Sequence, residues 1–139
     1  MTTSSVSPVT TELAGSETGI TLIIHAGAGS RGKHSTPERI AQVELDLQRA
    51  LDAGYQLLES GAPAHEAVVA AIHVMEDAPE FNAGRGAALT SDGIAQMDAC
   101  LMTGDGEVGA VTGVSTVKNP IDAARAVKGQ TKHVLFADP

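Results

Sequence analysis

A chain of 139 residues with 42% hydrophobic side chains is the size of one domain or of one piece of a domain. Nine basic against 17 acidic residues give a formal charge of -8, a field that repels phosphate backbones and anionic lipid surfaces and argues against nucleic-acid and membrane partners. The single Cys100 excludes an intrachain disulfide and a thiolate metal cluster, and no apolar run approaches the roughly 20 residues needed to cross a bilayer, so a soluble, cytoplasmic protein is expected.

Residues 1–19 are rich in Ser and Thr and lack both a basic start and an apolar core, so they read as a flexible tail rather than a secretion signal. The main body is expected from residue 20 to residue 139. "ITLIIHAGAGS" begins as a β-branched apolar run and ends in alternating glycine and alanine, which predicts a strand over residues 20–25 running into a tight loop. From Pro37 to Ser60, Ile40, Val43, Leu47, Leu51, Tyr55 and Leu58 recur at three- and four-residue steps on one helical face. Thr36 caps this helix, Pro37 suits its first turn and Gly61 ends it.

A second helix from Pro63 to Asp77, with Val68, Ile72 and Met75 inward, makes a hairpin with the first. "EFNAGRGAALTSDGIAQMDAC" then alternates short extended runs with turn signals, and "EVGAVTGVSTV" continues the strand pattern. Asn119 and Pro120 start a short helix closing at Gly129, and "HVLFA" reads as a last strand. The order predicts an α+β fold: a sheet with helices on one face. Its last strand leaves an edge that invites pairing, and a second chain is the natural candidate.

The chemistry is less explicit. "HAGAGS" resembles a phosphate loop only superficially, lacking both the Gly-Lys-Ser/Thr ending and the third glycine of a dinucleotide fingerprint. A non-enzymatic small-molecule or nucleotide-binding module therefore stands as an alternative, beside a plain tight turn. Among His25, His34, His65, His73 and His133 no two lie four residues apart, and His25 reads as a hydrogen-bonded structural residue. No Gly-x-Ser-x-Gly elbow marks a nucleophile, and Cys100 reads as an inert packing thiol. Asp92, Asp98, Asp105 and Glu107 flank turns. Asp98 also interrupts an apolar run, which leaves open a structural or an active-site supporting role. The loop around Asn82 can be structural, or can turn main-chain carbonyls around a hard cation.

Three stretches together, "IHAGAG", "FNAGRGAALTSDGIAQMDACLMTG" and "GAVTGVSTVKNPIDAARAV", resemble in order and spacing the α subunit of the plant-type, threonine-dependent asparaginases and isoaspartyl peptidases. These belong to the N-terminal nucleophile hydrolase superfamily. The resemblance implies a four-layer αββα sandwich of which this chain is the α half, completed by a β chain cut from the same precursor, as an (αβ)2 heterotetramer. It implies hydrolysis of L-asparagine and β-aspartyl dipeptides by a threonine at the start of β, with glycosylasparaginase or taspase-like proteolysis as alternatives within the superfamily. Asn82 would support that threonine. The main-chain carbonyls of Met75, Glu76, Ala78, Phe81, Ala83 and Arg85 would hold a structural sodium ion, and no cofactor is implied for the chemistry. His25, Ala26, Gly27, Ala28 and Gly29 match a loop that influences self-processing. Ala26 departs from the usual glycine there, so the backbone freedom of that loop is reduced.

Overall fold

The computed structural model describes residues 19–26 and 36–137. Apart from Gly19, the expected tail lies outside them. Helix α1 spans Pro37–Glu59, with the Thr36 hydroxyl accepting from the Arg39 N–H at 3.3 Å. It closes as the sequence predicts. Ala62 donates to the Leu57 carbonyl and Gly61 to that of Leu58, a left-handed cap that satisfies the last turn.

Helix α2, Ala64–Asp77, returns against α1. The two approach so closely at Gly54 that an added Cβ would lie 2.8 Å from the Ala67 carbonyl oxygen and 2.6 Å from the Leu22 side chain. Ala50, Leu51, Ala67 and Ala71 complete this buried seam. Two expected inward positions are not buried: Ile40 is 48% exposed and Val68 38%. The physical reason for Ile40 is length. At about 1.5 Å per residue, α1 outruns α2, so its first turns have less helix to lie against.

Strands β1, Met97–Met102, and β2, Val108–Val114, form an antiparallel hairpin. The turn between them is closed by Thr103, whose N–H donates to the Glu107 carbonyl and whose hydroxyl donates to Asp105. Helix α3, Pro120–Gln130, then carries the chain across so that β3, Leu135–Ala137, pairs parallel with β2. The sheet order is β1-β2-β3.

Helices lie on one face of this sheet. Val69 of α2, Leu101, Val111, and Ile121, Ala124 and Val127 of α3 form one buried cluster. Removing a side chain such as Leu101 or Ile121 from water is worth about 1.5–3 kcal/mol, so this cluster fixes how α3 lies on the strands. The opposite face, with Cys100 and Met102, is open, and Met102 is 65% exposed. Cys100 is therefore not the packed thiol expected from its neighbours. Its place in the strand alternation turns it to the face without helices.

The strand expected over residues 20–25 is also corrected. That segment is irregular, without a ladder partner among the described residues. Its burial nevertheless alternates: Leu22 is buried on α1, whereas Ile23 is 70% exposed. The side-chain period of a strand is present, but the pairing that defines one is not.

Candidate active site

The loop after α2 is where sequence and geometry converge. Helix α2 stops because Ala78 turns to extended dihedrals, and the chain then curls through Pro79 to Ala83 into a single 3-10 turn, Gly84–Gly86. Two glycines set the tightness of that curl. A Cβ on Gly84 would fall 2.3 Å from the Glu76 carbonyl oxygen. One on Gly86 would fall 2.1 Å from the Phe81 carbonyl oxygen and 2.6 Å from that of Pro79. The Glu76 oxygen thus lies against the bare backbone of Gly84, and the Phe81 and Pro79 oxygens against that of Gly86. The Ala83 carbonyl already accepts from Gly86 at 3.0 Å.

Asn82 sits in this curl, solvent-facing. Its Oδ1 accepts the Ala88 N–H at 2.7 Å. That bond orients the side-chain amide, so its NH2 is the group left to donate elsewhere. His25 is exposed and Ala26 partly buried at the end of the segment that crosses α1. Gly27, Ala28 and Gly29 lie outside the described residues, so the processing loop is seen only at its first two positions.

Behind the loop stands a buried carboxylate that sequence reasoning named only for its backbone. The Glu76 side chain is buried, with Oε1 accepting from the Ile121 N–H at 3.1 Å and Oε2 from Asn119 Nδ2 at 2.9 Å. Asn119 makes no side-chain cap of its own, so Glu76 supplies the acceptor for the first turn of α3. Burial raises its carboxyl above the ordinary carboxylate range, against the opposing effect of those two bonds. The available signal was an acidic residue four positions after the inward Ile72.

Around it, Lys118 pairs with Asp77 at 2.8 Å and His73 Nε2 meets Asp122 at 2.9 Å. Arg39 reaches Glu80 at 2.6 Å, tying the start of α1 to the loop after α2. The start of the loop is therefore held on two sides, to α3 through Glu76 and to α1 through Glu80. A groove of about 580 Å³ between Asp77, Gly84, Arg85, Met97, Val117 and Lys118 opens beside the curl.

Asp98 resolves into a defined role on the open sheet face. Met97 pairs with Val114 but Ala99 with Val111, so Thr112 and Gly113 together oppose Asp98 in a β-bulge. Gly113 has φ +68, and its N–H, turned out of the ladder, donates to Asp98 Oδ1 at 2.9 Å. The Thr112 hydroxyl donates to the same oxygen at 2.7 Å. These two bonds, that from Thr112 first, hold the carboxyl below its ordinary range.

The described residues supply an oriented amide, a carbonyl-lined loop and an open sheet face. No helix among the described residues is long and apolar enough to cross a membrane.

Residues 18–139 match the family model described as asparaginase. The chain is 47% identical over 118 residues to the plant-type L-asparaginase of Pyrococcus abyssi, covering 84% of this chain and 37% of that protein. It is 40% identical to the isoaspartyl peptidase of Escherichia coli, covering 83% and 36%, and 39% identical to the isoaspartyl peptidase/L-asparaginase of Bos taurus, covering 84% and 37%. The chain thus spans little more than a third of the length of the relatives it matches.

Proposed function

The chain belongs to the asparaginase family, and from that premise we propose that it is the α half of an amidohydrolase acting on the side-chain amide of L-asparagine and on β-aspartyl dipeptides. The single observation that carries this reading is the sheet with helices on one face and, among the described residues, none on the other, in a chain that matches only 37% of its relative's length. A second sheet from the companion half, packed on the open face, would make the four-layer αββα sandwich. The nucleophile is then a threonine exposed at the start of that companion by cleavage of a common precursor. Two such pairs make the (αβ)2 assembly.

The reaction is acyl transfer to water. The threonine hydroxyl, deprotonated by its own α-amino group, attacks the side-chain carbonyl carbon. The tetrahedral intermediate collapses with loss of ammonia, or of an amine from a β-aspartyl peptide, leaving an ester. Water hydrolyses the ester and releases aspartate. This chain's part is positioning. Asn82, with Oδ1 anchored on Ala88, offers its NH2 to the threonine oxygen or its surroundings. The Glu76 and Arg39 ties hold the loop that carries Asn82 at a fixed place relative to α1 and α3.

The family resemblance implies a sodium ion at this loop, with the main-chain carbonyls of Met75, Glu76, Ala78, Phe81, Ala83 and Arg85 as the proposed ligands. A cation there would supply rigidity rather than reactivity. The crowding of the Glu76 and Phe81 carbonyls against Gly84 and Gly86 supports this part of the reading.

Mass spectrometry of the mature product of the full gene, combined with ammonia release from L-asparagine and cleavage of β-aspartyl-leucine, tests the proposal. Two polypeptides, one starting with threonine, and turnover of either substrate are expected. A single uncut chain without hydrolysis of either would overturn it, and preference for a glycosylated asparagine would move the enzyme to a neighbouring specificity.

A further inference from the structure

Strands β1, β2 and β3 together contain one charged residue, Asp98. It stands on the open face in the same row as Cys100 and Met102. Both of its internal bonds, from the Thr112 hydroxyl and the Gly113 N–H, fall on Oδ1. Oδ2 takes part in neither. The Thr112 hydroxyl has its proton committed to Asp98, so it too faces outward only as an acceptor. The result is an acceptor-only polar spot in an apolar sheet face, with no cationic side chain in any of the three strands to neutralise it.

We propose that Asp98 Oδ2 is a socket for a donor-only group, a backbone N–H or a cationic side chain, carried by the companion half of the precursor where the two sheets meet. This rests on the functional reading above, in which the companion covers the open face. Sheets stacked at about 10 Å leave no room for bulk water between them, and a carboxylate taken out of water without a partner is strongly disfavoured. Protonation is a poor escape, because two donors already converge on Oδ1 and favour the ionised form. A donor from the opposite sheet is the remaining way to satisfy Oδ2. A single polar contact in an apolar interface also fixes register, since any slip of the two sheets leaves the charge unpaired. The bulge serves the same end by holding the carboxylate in one orientation.

D98N in the full-length precursor separates this role from upkeep of the bulge. Asparagine keeps Oδ1 and both internal bonds but sets an NH2 where Oδ2 was, so donor meets donor. The Gly113 amide is expected to stay as protected from hydrogen exchange as in the unaltered protein, while the dissociation constant of the two halves rises at least about tenfold. Equal affinity, with Gly113 protected, overturns the proposal. A measurement on the unaltered assembled protein guards against a variant that fails to fold: the Asp98 carboxyl, followed by NMR, should titrate below the ordinary aspartate range. Titration above that range means a buried carboxylate without a donor and also overturns the proposal. If mass spectrometry finds no second chain at all, the functional reading itself has failed. Two chains with unchanged affinity in D98N refute the socket alone.

Discussion

Asn82 illustrates how one hydrogen bond can decide what a side chain is able to do. Because Ala88 occupies its oxygen, the amide cannot flip without leaving that N–H unpaired, and its NH2 becomes a directed donor. Asn82→Ala removes the donor at an exposed position, where little packing is lost. Turnover by the assembled enzyme should fall roughly a hundredfold or more, the scale seen when one preorganised donor is deleted, with the melting temperature nearly unchanged. Asn82→Asp should keep the Ala88 bond and still lose activity. Ammonia release paired with thermal melting checks this, and full activity in either variant would remove Asn82 from the site. The role proposed for it was open to sequence reading only through the family resemblance. The side chain of Glu76 was not read at all, because the partners that give it meaning, Asn119 and Ile121, lie more than 40 positions away in the chain.

At the scale of elements, local signals were reliable where the element satisfies itself. Thr36, Pro37 and Gly61 bound α1 as expected, and the Asn119-Pro120 start of α3 holds. They were less reliable where an element depends on a partner. Residues 20–25 have the composition and alternation of a strand but no ladder among the described residues, and no pattern within six residues specifies which neighbour will pair with them. Ile40 and Val68 fit the helical period yet remain partly exposed, since period gives a face but not what covers it. The packing of α3 on β2 depends on Gly109, a residue that any reading of strand propensity would count as a weakness. An added Cβ would lie 2.3 Å from the Ala124 carbonyl oxygen and 2.4 Å from the Lys128 nitrogen. Both are backbone atoms, so no rotamer change relieves the contact. Gly109→Ala should therefore lift α3 from the sheet and lower stability by about 1–3 kcal/mol, readable as an earlier thermal transition. A transition at the original temperature would show that the helix is not held this closely.

For the whole molecule, the open face sets the behaviour of the chain when nothing covers it. Met102 at 65% and Leu135 at 55% exposure lie beside Cys100 and the short strand β3, whose three residues are all exposed. A contiguous apolar sheet face with a free edge is the feature that soluble proteins normally cover. The net charge of -8 opposes association at long range, but salt screens it beyond about 8 Å at physiological ionic strength, whereas apolar contact is not screened. Expressed alone, the 14.1 kDa chain should therefore bind a hydrophobic dye and sediment as species larger than a monomer, increasingly so as salt is raised. Co-expression with the companion half should abolish dye binding and yield a defined assembly. Raising salt is the discriminating step: if charge dominated, the isolated chain would be monomeric at low salt and dye binding would track ionic strength alone, while a buried-face mechanism predicts dye binding at every salt concentration. A dye-silent monomer that hydrolyses asparagine unaided would mean the open face is complete as it stands, and that the second sheet and the imported threonine are not needed.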